Sequence, residues 1–559
     1  MQTDYTVSDL VADSLYAFDI RVGFGVVSVH NIPVLDSLSR RGRIRFVTTR
    51  GEMGAAHMAD GYSRVTGTLG LVITSTGPGA SNAATGLLEA RCANAPVLHI
   101  TGNVPMRHRD LRRGVTHDVL DQLAMLASVS KAAYCIRSPQ EAFGILMRAA
   151  SEALSAPQGP VSVEIPIEIQ KSLVSRPAGL DDLVLPLSRP LAPAQSALDT
   201  LAKRILRATR PMLWTGSGAR IAGSVVRAFM DLGFGLVTSW NGRGVVSEEH
   251  PMNLGALHGA GMPLMERFYE TVDLLLVVGS RLRGQETLDA SLRLPSAKVQ
   301  IDIDPSAEGR TYPTELFICA DAKLALEELL PRIKGRMQID PAFADQLRRL
   351  KIQARDEFKM TLGPYGDFAE QLRRVVPRDA VWARDVTVSN STWGHRLFDL
   401  YEPRTNVYPT CAGIGQGLPL AIGAAIAADR KKTVLLSGDG GFVLNLGELW
   451  TVVQERPNLL MIIMNDRGYA VIKHIQDAQC GGNRQYGDLI GPDFGGLAEL
   501  AGIPFWRVER REEFGAMAAQ ALAVEGPSII EVDMNLIGAH PPYFPYSTQA
   551  AAPPQGSSK

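Results

Sequence analysis

Two turns rich in glycine and acid carry the first chemical signal. Gly438-Asp439-Gly440-Gly441 follows a short apolar run, residues 434–436, and Asn465-Asp466-Arg467-Gly468 follows a second, residues 459–464. Short apolar runs bounded by turn residues read as buried strands. Each turn then stands at the carboxyl end of a strand, where open parallel sheets bind ligands. Residues 444–455 have helical apolar spacing, so a helix follows the first turn. Glycines let the backbone approach a phosphate, and a helix start offers free N–H groups and a positive dipole end. A diphosphate held there calls for a divalent cation, and Mg²⁺ takes one or two carboxylates with phosphate oxygens and water. Asp439 and Asp466 supply two carboxylates, and the Gly468 carbonyl a third oxygen. Either turn alone reads equally as ordinary strand–turn–helix packing. The pair points to a diphosphate and cation site.

Four further groups could do chemistry. Glu52 opens a helical stretch, GEMGAAHMADGYSRVTG, where an acid is also favoured simply by the helix dipole. Ser75 precedes Gly77-Pro78-Gly79-Ala80-Ser81-Asn82, a strand-to-helix turn. His30 follows a glycine-bearing strand pattern over residues 22–29, and His117 lies in GVTHDVLDQLAM. A lone histidine after a strand is as readily structural as functional, but a strand's carboxyl end is where such sites open. Gly413-Ile414-Gly415 places a bulky apolar side chain between glycines, as core packing also would.

Taken together, these segments resemble the thiamine-diphosphate-dependent enzymes, the family of acetolactate synthase, benzoylformate decarboxylase, pyruvate decarboxylase and benzaldehyde lyase. The two turns resemble that family's GDG, spacer and Asn-Asn signature, with Asp466 standing where the second asparagine is usual. The resemblance implies thiamine diphosphate (ThDP) and Mg²⁺. Asp439, Asp466 and Gly468 would hold the metal, and Gly438, Gly440 and Gly441 would flank the diphosphate. Glu52 would bond the aminopyrimidine of the cofactor and promote proton removal from its thiazolium, although Gly51 stands where the family usually has histidine. Gly79 and Asn82 belong to a loop over the cofactor, with Ser75 beside it. Ile414 would wedge the two cofactor rings into a V, and the Gly413 carbonyl would hold the 4′-amino group. Tyr469, Ala470, Val471 and Ile472 would line the site after the metal turn. His30 and His117 resemble the substrate-facing positions of benzaldehyde lyase.

These residues need strands and helices to place them. Strand and helix patterns alternate over residues 1–175, 190–335 and 366–535, which predicts three α/β domains, each a doubly wound parallel sheet. By the resemblance they are pyrimidine-binding, central and diphosphate-binding. Proline-rich residues 176–195 read as a linker, charged residues 336–365 as a helical connector, and residues 540–559 as a mobile tail. The net charge of −1 gives no reason to expect a nucleic acid or an acidic membrane as partner. No apolar run reaches spanning length, and the acid-bearing N-terminus reads as an amphipathic helix rather than a signal peptide. Five scattered cysteines without a CxxC pair argue against a disulfide framework or zinc site and fit the cytoplasm.

The resemblance leaves three functions open. The first is a 2-oxo acid decarboxylase or carbon–carbon lyase with carboligase ability, acting on a 2-oxo acid or 2-hydroxy ketone through a ylid and an enamine. The second is an acetolactate-synthase-like transferase, with FAD in the central domain as an unfavoured addition. The third is a non-catalytic relative. In this family each site joins two subunits, so a dimer is the smallest active unit and a homotetramer the expected assembly.

Overall fold

The computed structural model describes residues 5–108, 111 and 113–542. Three parallel sheets follow one another along the chain. The first contains β1 (Val22–Gly25), β2 (Arg45–Thr48), β3 (Gly70–Thr74), β4 (Val97–Asn103), β5 (Ala132–Cys135) and β6 (Val161–Pro166), in the order β2-β1-β3-β4-β6-β5. The second contains β7 (Pro211–Thr215), β8 (Gly235–Thr238), β9 (Leu274–Val278), β10 (Lys298–Asp302) and β11 (Leu316–Cys319), in the order β11-β10-β9-β7-β8. The third contains β12 (Val381–Arg384), β13 (Asn406–Val407), β14 (Thr433–Gly438), β15 (Leu459–Asn465), β16 (Phe505–Val508) and β17 (Ser528–Asp533). Its order, β13-β12-β14-β15-β17-β16, repeats that of the first sheet strand for strand. The central strands β3, β4, β14 and β15 are buried along their whole length, so apolar residues run consecutively in them, as at 434–436 and 459–464, rather than alternating. The connector is the helix Phe343–Met360.

Local chemistry moves several expected boundaries. The strand expected over residues 22–29 ends at Gly25. The Asn31 side chain accepts from Ser28 N at 2.8 Å and donates to the Val26 carbonyl at 2.9 Å, folding residues 26–31 into a turn. His30 therefore sits in that turn and not on the strand. The glycine-rich segment after β14 is already helical: Asp439–Leu444 is a short helix starting at the aspartate. The helix expected over residues 444–455 is broken at Asn445, whose side chain donates to the Gly415 carbonyl at 2.5 Å, and resumes as Leu449–Glu455. Of the expected tail, His540 is buried and stacked on Tyr365, with ring centres 5.5 Å apart, while residues 543–559 lie outside the described residues.

The cysteine reading also needs correction. Cys92 and Cys411 are joined as a disulfide across 319 residues, with Cα atoms 5.8 Å apart. Spacing in sequence could not show this pair. The fold brings the end of the helix Pro78–Ala93 against the loop before Gly413.

The first and third domains lock together through two helices, Glu52–Thr66 and Gly417–Ala428. The second is apolar all round, GLPLAIGAAIAA, as a helix enclosed on every side must be. Contact is backbone to backbone. A Cβ added at Gly61 would fall 2.2 Å from the Leu420 carbonyl oxygen, and one at Gly423 would fall 1.9 Å from that of Met58. Gly423→Val must therefore push the helices apart. Thermal unfolding should show a loss of about 2 kcal/mol or more. Gly144→Ala, in the helix Ala142–Leu154 with open space around it, should cost nothing and could gain up to about 1 kcal/mol. A Gly423→Val melting temperature equal to wild type would contradict this packing.

Candidate cofactor site

The acid end of the site is built on the first sheet. Gly51 has extended backbone, and Glu52 is the first residue of its helix. The Asn82 amide donates to Glu52 Oε2 at 3.1 Å. A Cβ at Gly79 would stand 2.9 Å from Glu52 Oε1 and 2.8 Å from Ser75 Cβ, so only glycine fits there. Ser28 Oγ donates to Ser75 Oγ at 2.5 Å and accepts from His30 N at 3.3 Å. His30 Nδ1 and His117 Nδ1 are 3.2 Å apart. Burial lowers the His30 pKa, and His117 lowers it further. Glu52, Ser75, Gly79, Asn82, His30 and His117 thus lie together: Gly79 lets Glu52 and Ser75 come close, and Ser28 ties Ser75 to the backbone of His30. The sequence did not point to Ser28, nor to Gln122. Buried Gln122 accepts from Thr76 Oγ1 at 2.8 Å and from Gly77 N at 2.7 Å, which fixes the loop before Gly79.

The acidic, glycine-rich end is built on the third sheet. β14 and β15 are neighbours, so their carboxyl ends put Gly438 and Asn465 side by side. Gly468 N donates to Asp439 Oδ2 at 3.0 Å. Asp439 is buried, and its Oδ1 has no partner. Burial raises the Asp439 pKa. Burial and then the Asp439 charge push Asp466 up to about 7, opposed by Lys473, whose Nζ lies 3.5 Å from Asp466 Oδ2. Two adjacent carboxylates that resist ionisation, one with a buried unpaired oxygen, are what a cation would satisfy. Among the described residues no three His, Cys, Asp or Glu side chains cluster, so a metal here would rely on these two carboxylates and non-side-chain oxygens. That donor set suits Mg²⁺, which keeps water and phosphate ligands.

Around this pair the backbone is tightly shaped. A Cβ at Gly440 would meet the Tyr469 ring at 2.7 Å, and one at Gly441 would meet Asp385 Oδ2 at 2.9 Å and Ile414 Cγ1 at 3.4 Å. Gly413 is packed against the Gln416 amide in the same sense, with a built Cβ at 2.1 Å. Ile414 is 41% exposed and Ile472 45%. Ala470, Val471 and Ile472 form the first turn of the helix Ala470–Gln479, directly after the Asp466 turn. Asp385 was not evident in the sequence. It follows β12 at the same sheet end, and its carboxylate accepts from Val386 N, Gly415 N and Gly417 N at 2.6, 3.0 and 3.1 Å. Burial pushes its pKa up to about 6. Thr387, two residues on, lies beside Gly438. An acid three residues before a helix-forming run, at a parallel strand's carboxyl end, was the available signal.

A separate cavity of about 270 Å³ opens at the carboxyl ends of β7 and β9 in the central domain, lined in part by Gly216, Arg220, Gly279, Arg281, Arg283 and Asp304. Glu286 lines the same cavity: its Oε1 accepts from Trp240 N, and its buried Oε2 has no partner.

A doubly wound domain with an acid at its loop end, and a second with paired carboxylates beside a glycine turn, define a cofactor enzyme of the thiamine type. Three family models match in order: the Thiamine pyrophosphate enzyme N-terminal TPP binding domain over residues 5–125, the central domain over 198–329 and the C-terminal TPP binding domain over 387–532. The chain belongs to the thiamine-diphosphate-dependent enzymes. It is 29% identical to the "Probable 2-ketoarginine decarboxylase AruI" of Pseudomonas aeruginosa, over 95% of this chain and 94% of that protein. It is 28% identical to the "Probable acetolactate synthase 2, chloroplastic" of Oryza sativa subsp. japonica, over 94% and 82%. It is 27% identical to the "Probable acetolactate synthase large subunit" of Methanocaldococcus jannaschii, over 96% and 93%. No described helix is long and apolar enough to cross a membrane.

The Asp466 carboxyl gives a pH prediction for the metal-free protein. Its folded pKa is raised from 3.8 to about 7, so its contribution to stability is present below about pH 4 and lost as pH rises through 7. Asp466→Asn removes that loss. In EDTA, the variant should melt higher than wild type at pH 8, and the difference should shrink towards pH 4. Superimposable melting curves across this range would show that Asp466 is not held against Asp439.

Proposed function

We propose that this enzyme is a ThDP- and Mg²⁺-dependent 2-oxo acid decarboxylase or carbon–carbon lyase with carboligase ability. The observation that carries the reading is the His30–His117 pair, with ring nitrogens 3.2 Å apart, at the carboxyl end of the same sheet as Glu52. Two imidazoles beside the acid end can hold or deliver a proton at a substrate oxygen. Bound ThDP supplies an electron sink at the substrate carbonyl carbon. Glu52, which accepts from the Asn82 amide, would hold a proton at the pyrimidine end of the bound cofactor. Asp439, Asp466 and backbone oxygen at Gly468 would hold the Mg²⁺, and Gly438, Gly440 and Gly441 leave room for the diphosphate. Ile414 and Ile472 would present apolar surface to the bound cofactor and substrate. The name of the Pseudomonas relative supports decarboxylation of a 2-oxo acid. The expected form is a cytoplasmic homo-oligomer, a dimer at least and a tetramer by family resemblance.

A transferase of the acetolactate synthase type is the second reading. The names of the rice and archaeal relatives favour it, and the central cavity offers a place where FAD would sit. The absorption spectrum of the purified protein separates the two, because bound flavin favours the transferase.

A panel of 2-oxo acids and acyloins with ThDP and Mg²⁺, followed by product identification, tests the activity. At least one 2-oxo acid should yield CO₂ and an aldehyde or ligated product. Glu52→Gln should lower turnover by about 100-fold or more with every accepted substrate. Full activity in Glu52→Gln would overturn the assignment of the acid.

A further inference from the structure

The loop that carries Ile414 is anchored by carboxylates on both sides. On the N-terminal side, Glu89 is buried in the helix that also presents Gly79 and Asn82. Its Oε1 accepts from Thr410 N at 2.5 Å, and its Oε2 from Cys411 N at 2.8 Å. On the C-terminal side, Asp385 accepts from Gly415 N and Gly417 N. Between the anchors, Ala412 has φ 62° and Gly415 φ 87°, so the chain turns sharply on either side of Ile414.

Glu89 is itself held in place. Arg64 Nη2 donates to Glu89 Oε1 at 2.7 Å and to Asp60 Oδ2 at 2.5 Å, and Arg64 Nη1 donates to the Tyr408 carbonyl at 2.7 Å. All three side chains are buried. The central domain reaches the same place: the Arg283 guanidinium donates to the Thr410 carbonyl, and the Asn241 amide reaches Thr410 Oγ1 at 3.3 Å. Three domains therefore meet on one residue, four positions before the exposed isoleucine.

A buried ion triad is a costly way to fill a core. Apolar side chains of similar volume often stabilise as well or better. They cannot accept two consecutive backbone N–H groups. We propose that Glu89 is a positioning residue: paired with Asp385 across the loop, it sets the height of Ile414 and through it the geometry of the bound cofactor. This inference rests on the reading of Ile414 as the wedge between the cofactor rings. Small displacements matter in such a role, because errors of about 1 Å in a reacting geometry cost on the order of 100-fold in rate.

The test is a double-mutant cycle on the full chain with ThDP and Mg²⁺. It is run under reducing conditions so that the Cys92–Cys411 link does not tether the loop. Glu89→Gln keeps the shape but can accept only one of the two N–H groups. It should lower kcat about tenfold with KM within about twofold, and it should have no further effect in an Ile414→Ala background, because both changes act on the same contact. Hydrogen exchange in the cofactor-free protein gives an independent readout: Glu89→Gln should speed exchange across residues 410–417 and leave β14 and β15 unchanged. Wild-type kcat in Ile414→Ala alone would overturn the wedge reading. A loss in Ile414→Ala that multiplies fully with that of Glu89→Gln, or exchange that rises evenly over the chain, would overturn the role of Glu89. If Glu89→Gln does not fold, Arg283→Met enters the same cycle with the same two outcomes.

Discussion

The close approach of the helices Glu52–Thr66 and Gly417–Ala428 is the constraint on which the rest depends. Gly61 and Gly423 remove the side chains that would separate two backbones. The ends of these helices are where the chemistry begins. Glu52 starts the first helix, and the second starts three residues after Ile414. A third contact closes the arrangement, because Gly54 leaves room for Glu448, whose carboxylate accepts from Arg50 N at 3.2 Å. A shift between the helices would move the acid and the Ile414 loop together.

The polar groups of the two ends obey different rules. The Glu52 carboxylate accepts from a neutral group, the Asn82 amide. Around Asp439, two carboxylates and one lysine are packed with too little positive charge, and one buried oxygen has no donor. Lys473 is drawn outward as well, since its Nζ also lies 2.9 Å from Asp488. The deficit of positive charge is the physical reason to place a divalent cation there. Asp466 in place of the family's asparagine makes that deficit larger.

Much of this was legible in the sequence because it is local. The apolar runs of β14 and β15 and the glycine turns at their ends gave the sheet, the direction and the two carboxylates. Glu52 and Asn82 were picked out by the family resemblance, and the Asn82 amide lies within hydrogen-bond distance of Glu52. The rest was hidden for physical reasons. Glu89 and Gln122 act on backbone far away in sequence, so nothing near them marks them. The turn at residues 26–31 was read as strand because Val26, Val27 and Val29 suit a strand, while the Asn31 side chain decides otherwise. The Cys92–Cys411 link depends wholly on how the first and third domains meet.

The central claim is that the acid end of one chain and the paired carboxylates of a second copy together form one cofactor site. Calorimetric titration of metal-free protein with ThDP, with and without Mg²⁺, tests it most directly. The account predicts binding of one ThDP per chain that requires the divalent ion. Binding of equal strength in EDTA, or no binding with Mg²⁺ present, would contradict it.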